Sequence, residues 1–271
     1  MTGEDALSAN AIRGLLGPES SAALGDLTVL DEVDSTNAFL TRLPAPRRHG
    51  HAVLAESQTQ GRGRRQRSWH SPPGGNIYLS LGWRFAGTVK PLSTLPLVAA
   101  VCLARALERA GLRGHGIKWP NDILVGSSKL AGILVETQSS GAGSIEAVIG
   151  IGLNVRMPES PGGAAIDRPW TDLAAHLPRA RRGISRNRLA GLLLDELPAG
   201  LERFALEGFE PFREDWRRFD LLTGRRVRLE GNGGLQSGTV LGIEDNGGLS
   251  IDIEGYGPQV LHAAEVSIYD E

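Results

Sequence analysis

The chain has 271 residues, of which 29 are basic and 31 acidic, and its net charge of −2 argues against a protein whose whole surface binds polyanions. With 41% hydrophobic residues it is long enough for one large domain and a small one. A single cysteine, Cys102, excludes an internal disulfide framework and favours a cytoplasmic setting, and we find neither a signal peptide nor an apolar run of membrane-spanning length.

The first predicted elements are a short helical arm, a strand and a capped helix. Residues 1 to about 25 predict the arm, and residues 27–30 predict the strand. Asp, Ser, Thr and Asn at 34–37 then precede an apolar run, which is typical of a helix N-cap. The same hydroxyls and amides at a helix N-terminus could also hold a polar ligand head group, although the cap is the more frequent role.

A cationic stretch, residues 56–75, lies between two predicted buried strands at 52–55 and 76–84. It follows neither a helical nor a strand period and therefore predicts a long loop. We call it the arginine loop, because it contains Arg62, Arg64, Arg65 and Arg67 together with Gly61 and Gly63. Arginine forks and glycine N–H groups match carboxylate and phosphate oxygens, so the loop could close over an anion. Similar runs also occur in solvated or RNA-binding segments.

The middle of the chain predicts a helix and then a hairpin. Residues 95–110 predict the helix, which Gly111 ends. Residues 117–125, interrupted by Pro120, and residues 130–135 predict two strands joined by a tight turn.

Three side chains in the following stretch allow both a structural and a functional interpretation. Lys129 is either a solvated hairpin lysine or, near Gly132, a group that approaches a ligand. Asn154 ends a predicted strand at 146–155 and either caps a turn or reads a base edge. Trp170 is either a core anchor or an aromatic surface for a base.

The last third of the chain changes from helical to β character. After a Pro/Gly-rich loop at 156–170, residues 185–206 and 209–219 predict amphipathic helices. From residue 222, short alternating runs with Asn-Gly turns predict a five-stranded barrel of SH3-like size. The sequence thus predicts an arm at 1–26, a large domain at 27–221 and a barrel at 222–271.

Five motifs stand in order along the chain: DSTN at 34–37, GRGRRQR at 61–67 with Trp69, KWPND at 118–122, KLAGILVE at 129–136 and GIGLN at 150–154. In this combination, from about residue 27 to the end, the chain resembles bacterial biotin–protein ligases, also called biotin–[acetyl-CoA-carboxylase] ligases. The resemblance implies an α+β fold. Its catalytic biotin/ATP-binding domain would be a mixed β-sheet with packed helices, similar to class II aminoacyl-tRNA synthetases, and an SH3-like barrel would follow it.

The resemblance also implies a two-step reaction. Biotin and MgATP give biotinyl-5′-AMP and pyrophosphate, and the biotinyl group then passes to a lysine of the biotin carboxyl carrier protein of acetyl-CoA carboxylase. The first step brings a carboxylate against an α-phosphate, so cations must stabilise its transition state. The implied catalytic residues are Lys129, Arg64, Asp122 and Lys118. Asp122 either orients Mg²⁺ or accepts the proton of the carrier lysine.

The same resemblance implies the binding residues. Those for biotin are Ser35, Thr36, Asn37, Gln58, Gly61, Arg62, Gly63, Arg64, Trp69, Lys129, Gly132, Leu134 and Gly152. Those for ATP or the adenylate are Arg62, Arg64, Lys118, Asn121, Lys129, Asn154 and Trp170. Hydroxyl and amide side chains suit the biotin ureido group, which has one acceptor and two donors. Trp69 is implied to pack under the closed loop, and Asn154 and Trp170 to recognise adenine.

The chain departs from the family pattern at both ends. Regulatory members carry an N-terminal winged helix-turn-helix domain, whereas about 26 residues precede the predicted catalytic domain here, which implies a monofunctional ligase that does not bind DNA. Tyr269 stands where the family pattern has an arginine directed towards the ATP phosphates. The resemblance leaves both a monomer and a homodimer open.

Two other functions are weighed against the biotin ligase. A lipoate- or octanoate-transferring relative would share the fold, but KWPND and KLAGILVE argue against it. A nucleic-acid-binding module that uses the arginine loop would bind with a steep salt dependence, and the net charge and the lack of a recognition helix argue against it.

Overall fold

The computed structural model describes residues 5–87, 91–140, 143–158, 168–181, 183–231, 234–262 and 264–268. The helices are α1 (Ala9–Arg13), α2 (Pro18–Ala23), α3 (Thr36–Arg42), α4 (Leu95–Ala110), α5 (Leu173–His176), α6 (Arg186–Glu207) and α7 (Arg213–Phe219). The strands of a first sheet are β1 (Leu27–Val33), β2 (Ala52–Gln58), β3 (Ile77–Phe85), β4 (His115–Lys118), β5 (Asp122–Val125), β6 (Ser128–Ser140) and β7 (Ser144–Leu153). Those of a second sheet are β8 (Arg226–Gly231), β9 (Gly234–Ile243), β10 (Leu249–Ile253), β11 (Gly257–Leu261) and β12 (Glu265–Ile268).

The first sheet has the order β1-β2-β3-β7-β6-β5-β4. Strands β1 and β2 are parallel and the other neighbours are antiparallel, so the sheet is mixed, as predicted. The parallel pairing places Val33 opposite Gln58, at the ends of β1 and β2. Because parallel strands end at the same edge, α3 and the arginine loop both start there.

Helices α4 and α6 pack against each other and cover one face of the sheet. The predicted bounds of α4 are confirmed, and Gly111 ends it with φ of +102°, a conformation that favours glycine. Ser185 caps α6 by accepting a hydrogen bond from the Arg188 N–H. No helix within the described ranges is long and apolar enough to cross a membrane.

Cys102 lies inside the contact between α4 and α6, fully buried against Gly200, where a Cβ would lie 2.4 Å from its Sγ. Burial raises the pKa of its thiol to about 12, so well under one thiol in a thousand is ionised near pH 8. We expect iodoacetamide to leave the native protein unmodified and to label one thiol per chain in denaturant, as read by intact mass. Rapid labelling of the native protein would contradict this packing.

The second sheet is antiparallel throughout, with the order β11-β10-β9-β8-β12, and agrees with the predicted SH3-like domain. Its Asn246-Gly247 turn contacts the turn between β4 and β5, where the Trp119 indole N–H donates to the Gly247 carbonyl at 2.9 Å. The predicted turn at 232–233 and Tyr269 lie outside the described residues. The predicted domain boundaries at 26 and 221 stay predictions.

Four sequence-based elements differ from the structure. The predicted strand at 117–125 is two strands, β4 and β5, which pair antiparallel with each other. The predicted turn at 126–129 is shorter, because β6 already begins at Ser128, which pairs with Val125 and so places Lys129 opposite Leu124. The arginine loop begins later than predicted, since β2 continues to Gln58. The predicted helix at 209–219 starts with a 3-10 turn at Glu210–Phe212, closed by a hydrogen bond from the Phe212 N–H to the Phe209 carbonyl.

Candidate active site

A cavity of about 850 Å³ lies between the arginine loop, the β5–β6 hairpin and the start of α3. Every residue that the sequence analysis assigns to catalysis, biotin, ATP or metal lines it. The structure thus brings together side chains from five separate motifs, while the role of each residue stays a prediction.

One end of the cavity is lined by the uncharged polar side chains of Thr36, Asn37, Gln58 and Ser71, two of which contact the fully buried Ser80. We call these five residues the polar wall. The Thr36 N–H and hydroxyl both point at Gln58 Oε1, at 2.9 and 3.2 Å, and Gln58 Nε2 donates to Ser71 Oγ at 2.9 Å. Ser80 Oγ lies 2.8 Å from Thr36 Oγ1 and 2.6 Å from Asn37 Oδ1. These bonds fix the orientation of both side-chain amides and suit a head group with donors and acceptors.

The start of α3 confirms the predicted cap. Ser35 Oγ accepts from the Ala38 N–H at 3.5 Å, a long contact, and Ser35 is 3% exposed. The Arg42 guanidinium, at the end of α3, lies beside Asp34 before its start and lowers the pKa of that carboxyl to about 2, so the pair stays charged at neutral pH.

Two glycines of β7 make room for side chains of the cavity. A Cβ at Gly150 would lie 2.2 Å from Asn37 Oδ1, and a Cβ at Gly152 would lie 2.4 Å from the Trp69 ring. The Trp69 ring also lies 3.1 Å from the Cβ position of Gly132. Trp69 therefore packs directly on the sheet under the arginine loop, as the sequence resemblance implies.

The other end of the cavity is cationic. Lys129 Nζ forms an ion pair with Asp122 Oδ1 at 2.8 Å and lies 5.2 Å from the centre of the Trp69 ring. Arg64 Nη1 donates to Asn121 Oδ1 at 3.0 Å, so the arginine loop is joined to the KWPND segment. Lys118 lies in the same group of side chains.

Burial shifts the acid–base equilibria of this cationic end. It lowers the pKa of Lys118, and the nearby cations Arg168, Lys129 and Arg67 lower it further, against the opposing effect of Asp122. Burial likewise lowers the pKa of Arg64. An anion that enters the cavity would reverse these shifts and bind to preorganised cations.

The segment that carries Trp170 is tied to Lys129 by the backbone. The Lys129 N–H donates to the Pro169 carbonyl at 2.9 Å, and the Thr171 N–H donates to the Lys129 carbonyl at 3.0 Å. Asn154 Nδ2 donates to the Thr171 carbonyl at 3.0 Å, so Asn154 supports this segment. Trp170 is 38% exposed at the cavity and offers a ring surface there.

Comparison with known proteins decides the family. The family model described as the biotin/lipoate A/B protein ligase family matches residues 29–154. The bifunctional ligase/repressor BirA of Escherichia coli is 36% identical over 231 residues, which cover 85% of this chain and 70% of that protein. The biotin–[acetyl-CoA-carboxylase] ligase of Paracoccus denitrificans is 34% identical over 241 residues, which cover 88% of this chain and 98% of that protein. The chain belongs to the biotin/lipoate A/B protein ligase family.

The fold supports the same membership. The solved structure of the Aquifex aeolicus biotin protein ligase in complex with biotin and ATP matches with a TM-score of 0.72 and 28% identity, covering 92% of this chain and all of that one. A point mutant of that ligase in complex with biotin matches with a TM-score of 0.73 and 29% identity, over 91% of this chain and 99% of that one. The predicted resemblance and the predicted fold are therefore confirmed.

Sequence reasoning missed three residues around the site of this family member. Ser71 and Ser80 belong to the polar wall, and Glu136 accepts from both Asn37 and Arg62. A lone serine in the otherwise apolar first half of β3 is a feature that could have pointed to Ser80. Glu136 ends the quoted KLAGILVE motif without an assigned role, since a terminal strand glutamate is usually solvated.

A magnesium ion bound by protein side chains alone has little support. Within the described part of the chain, no three His, Cys, Asp or Glu side chains are grouped to hold a metal, and Asp122 is the single acidic residue that lines the cavity. Mg²⁺ is usually held by one or two carboxylates together with substrate phosphates, and Asp122 fits that arrangement.

Proposed function

We propose that this family member is a biotin–protein ligase, which joins biotin to ATP as biotinyl-5′-AMP and passes the biotinyl group to a lysine of a carrier protein. The observation that carries the proposal is the continuous cavity that joins a neutral polar wall to a group of cations. An acid with a neutral head group and a carboxylate tail fits that polarity. The names of the relatives, biotin–[acetyl-CoA-carboxylase] ligases, support the same substrate.

In the first step a biotin carboxylate oxygen attacks the α-phosphorus of ATP, and the bond to the β-phosphate breaks as pyrophosphate leaves. Lys129 lines the cavity that the polar wall also lines and pairs with Asp122 of the KWPND segment, so we assign its ammonium to neutralise both the carboxylate and the α-phosphate. Arg64 and Lys118 add positive charge where negative charge accumulates. Trp69 and the arginine loop exclude water from the reactive anhydride.

In the second step the carrier lysine attacks the acyl carbon, the bond to the phosphate oxygen breaks, and AMP leaves. The amine must lose a proton, and Asp122 is a carboxylate able to accept it. Alternatively Asp122 holds Mg²⁺ with the phosphates; that ion would supply further neutralisation of phosphate charge. The two roles of Asp122 stay open.

Several finer assignments belong to the same proposal. We assign the carrier as the biotin carboxyl carrier protein of acetyl-CoA carboxylase, on the names of the relatives. The monofunctional type, the lack of DNA binding and the cytoplasmic setting stay predictions, and both a monomer and a homodimer stay open. Asn154 and Trp170 are proposed at the adenine, with Trp170 as the stacking surface.

Pyrophosphate exchange into ATP tests the proposal, run with biotin, with lipoate, with octanoate and with no acid. Exchange that requires biotin is the expected result. Exchange with lipoate or octanoate instead would move the chain to another branch of its family, and no exchange with any acid would overturn the proposed activity. Transfer of labelled biotin to a purified carrier domain then tests the second step.

Replacing Arg64 with alanine is expected to leave adenylate formation measurable but to speed release of the intermediate, by about tenfold or more. The reason is that Arg64 joins the loop to Asn121 at 3.0 Å, and this bond is lost. Release is measured by chasing labelled adenylate with unlabelled biotin. Arg203→Ala, an exposed arginine of α6, is the control, and unchanged retention would reject a clamp role for Arg64.

A further inference from the structure

Glu136 connects the arginine loop with the polar wall. Its Oε2 accepts from Arg62 Nη2 in the loop at 2.9 Å and from Asn37 Nδ2 in the wall at 2.8 Å. Glu136 follows Gly132 and Leu134 on the same face of β6, because alternate strand residues share a face. It therefore lies next to the cavity.

The sheet next to Glu136 leaves space for the Asn37 side chain. Ser80, Gly150 and Leu134 are paired in one row across β3, β7 and β6. Asn37 lies over Gly150, where a Cβ would be only 2.2 Å from its Oδ1, and it is 4% exposed. Its amide bonds to Ser80 on one side and to Glu136 on the other.

The hydrogen bonds around the polar wall form a closed circuit. From Arg62 the circuit passes through Glu136, Asn37, Ser80, Thr36, Gln58 and Ser71 to the Trp69 carbonyl. Arg62 and Trp69 both belong to the arginine loop, whose two sides pair through the Trp69 N–H and the Gly61 carbonyl at 2.8 Å. The circuit thus leaves the loop, crosses the sheet and α3, and returns to the loop.

The charge of Glu136 sets the direction of the bonds at this end of the circuit. An ionised carboxylate only accepts, so Arg62 and the Asn37 NH₂ must both donate to it. The Asn37 carbonyl oxygen is then directed at Ser80. The Arg62–Glu136 pair is 42% and 36% exposed and by itself contributes little. We expect Glu136 to act mainly through its hydrogen bond to the buried amide of Asn37, whose orientation it fixes.

We propose that Glu136 is a positioning residue that holds the arginine loop and the polar wall in one arrangement, so that closure of the loop and recognition of the ligand head group depend on each other. The proposal rests on the biotin ligase function for the identity of the ligand. The contact that Glu136 makes between the arginine loop and the polar wall is independent of that function.

Glu136→Gln is the test variant, because it keeps the size of the side chain and removes the charge. We expect biotin to bind about tenfold more weakly, since both hydrogen bonds lose the carboxylate charge and the Asn37 NH₂ is then held mainly by its long contact with the Leu134 carbonyl at 3.4 Å. Isothermal titration with biotin measures this. Glu207→Gln, which removes an exposed carboxylate of α6, is the matched control and should bind like wild type.

A double-mutant cycle separates positioning from a merely structural role. Arg62→Gln, Glu136→Gln and the double variant are titrated with biotin. If Glu136 acts through Arg62 and Asn37, the double variant loses less affinity than the sum of the two single losses. Additive losses, or an affinity of Glu136→Gln equal to wild type, would overturn the proposal.

Trypsin cleavage of the ligand-free protein tests the positioning role of Glu136 without biotin. We expect Glu136→Gln to be cut within residues 62–67 several times faster than wild type and Glu207→Gln, with fragments identified by mass. Equal cleavage would overturn the positioning role. Failure of the wild type to bind biotin would overturn the proposed function alone, because the cleavage result stands without it.

Discussion

Replacing Lys129 with methionine is expected to lower biotin-dependent pyrophosphate exchange by about 10²–10³-fold. Lys129 lines the same cavity as the polar wall, and its Nζ is paired with Asp122 and faces the Trp69 ring. A neutral side chain there cannot offset the approach of a carboxylate to a phosphate. Methionine keeps most of the aliphatic stem, so the loss reports the charge rather than the packing.

The lost ion pair requires its own control, because Asp122 is only 16% exposed and would be left unpaired. Asp122→Asn combined with Lys129→Met removes both charges and should recover thermal stability without recovering exchange. Arg203→Met, far from the cavity, should behave like wild type. Exchange by Lys129→Met within threefold of wild type, in a protein of native stability, would remove Lys129 from the mechanism.

Replacing Gly152 with alanine is expected to weaken biotin binding and adenylate retention by about 10- to 100-fold, the second large effect. The added Cβ would lie 2.4 Å from the Trp69 ring, which is rigid and packed on the sheet, so the ring and the arginine loop must move. Titration with biotin and release of labelled adenylate measure the two losses.

Gly183→Ala is the matched control, since a Cβ there meets nothing within 4 Å. Trp69→Phe in the Gly152→Ala background is a second variant, because a smaller ring should recover part of the binding if the clash is the cause. Wild-type affinity of Gly152→Ala would show that Trp69 leaves the sheet at no cost in binding.

Much of the site could be predicted from the sequence because its residues are held in short motifs of fixed spacing. KWPND and KLAGILVE lie on a hairpin, so local pairing alone brings Asp122 and Lys129 to adjacent strands. The helix that starts at Ser35 follows from its cap. These elements depend on near neighbours in the chain.

What the sequence could not predict depends on contacts between distant segments. The parallel pairing of β1 with β2 places the DSTN segment, which follows β1, next to Gln58 at the end of β2. Parallel strands are joined by long connections, so no local sequence pattern predicts this pairing. Ser80 and Glu136 acquire their partners only when β3, β7 and β6 are placed side by side. The register shift between Lys129 and Ala131, which sets Gly132 opposite Asp122, is specified by no turn residue.

The closed circuit also bears on attempts to engineer the enzyme for a different acid. The polar wall comes from α3, β2 and β3 together with Ser71 of the arginine loop, while Lys129 comes from the hairpin and Arg64 from the loop. This division invites redesign of the wall with the activating cations left in place. Yet the wall residues are hydrogen-bonded to one another in series, and both ends of the series are bonded to the loop, one through Glu136 and the other through Ser71. Libraries that change wall residues in donor–acceptor pairs are therefore better placed to find new acids than single substitutions.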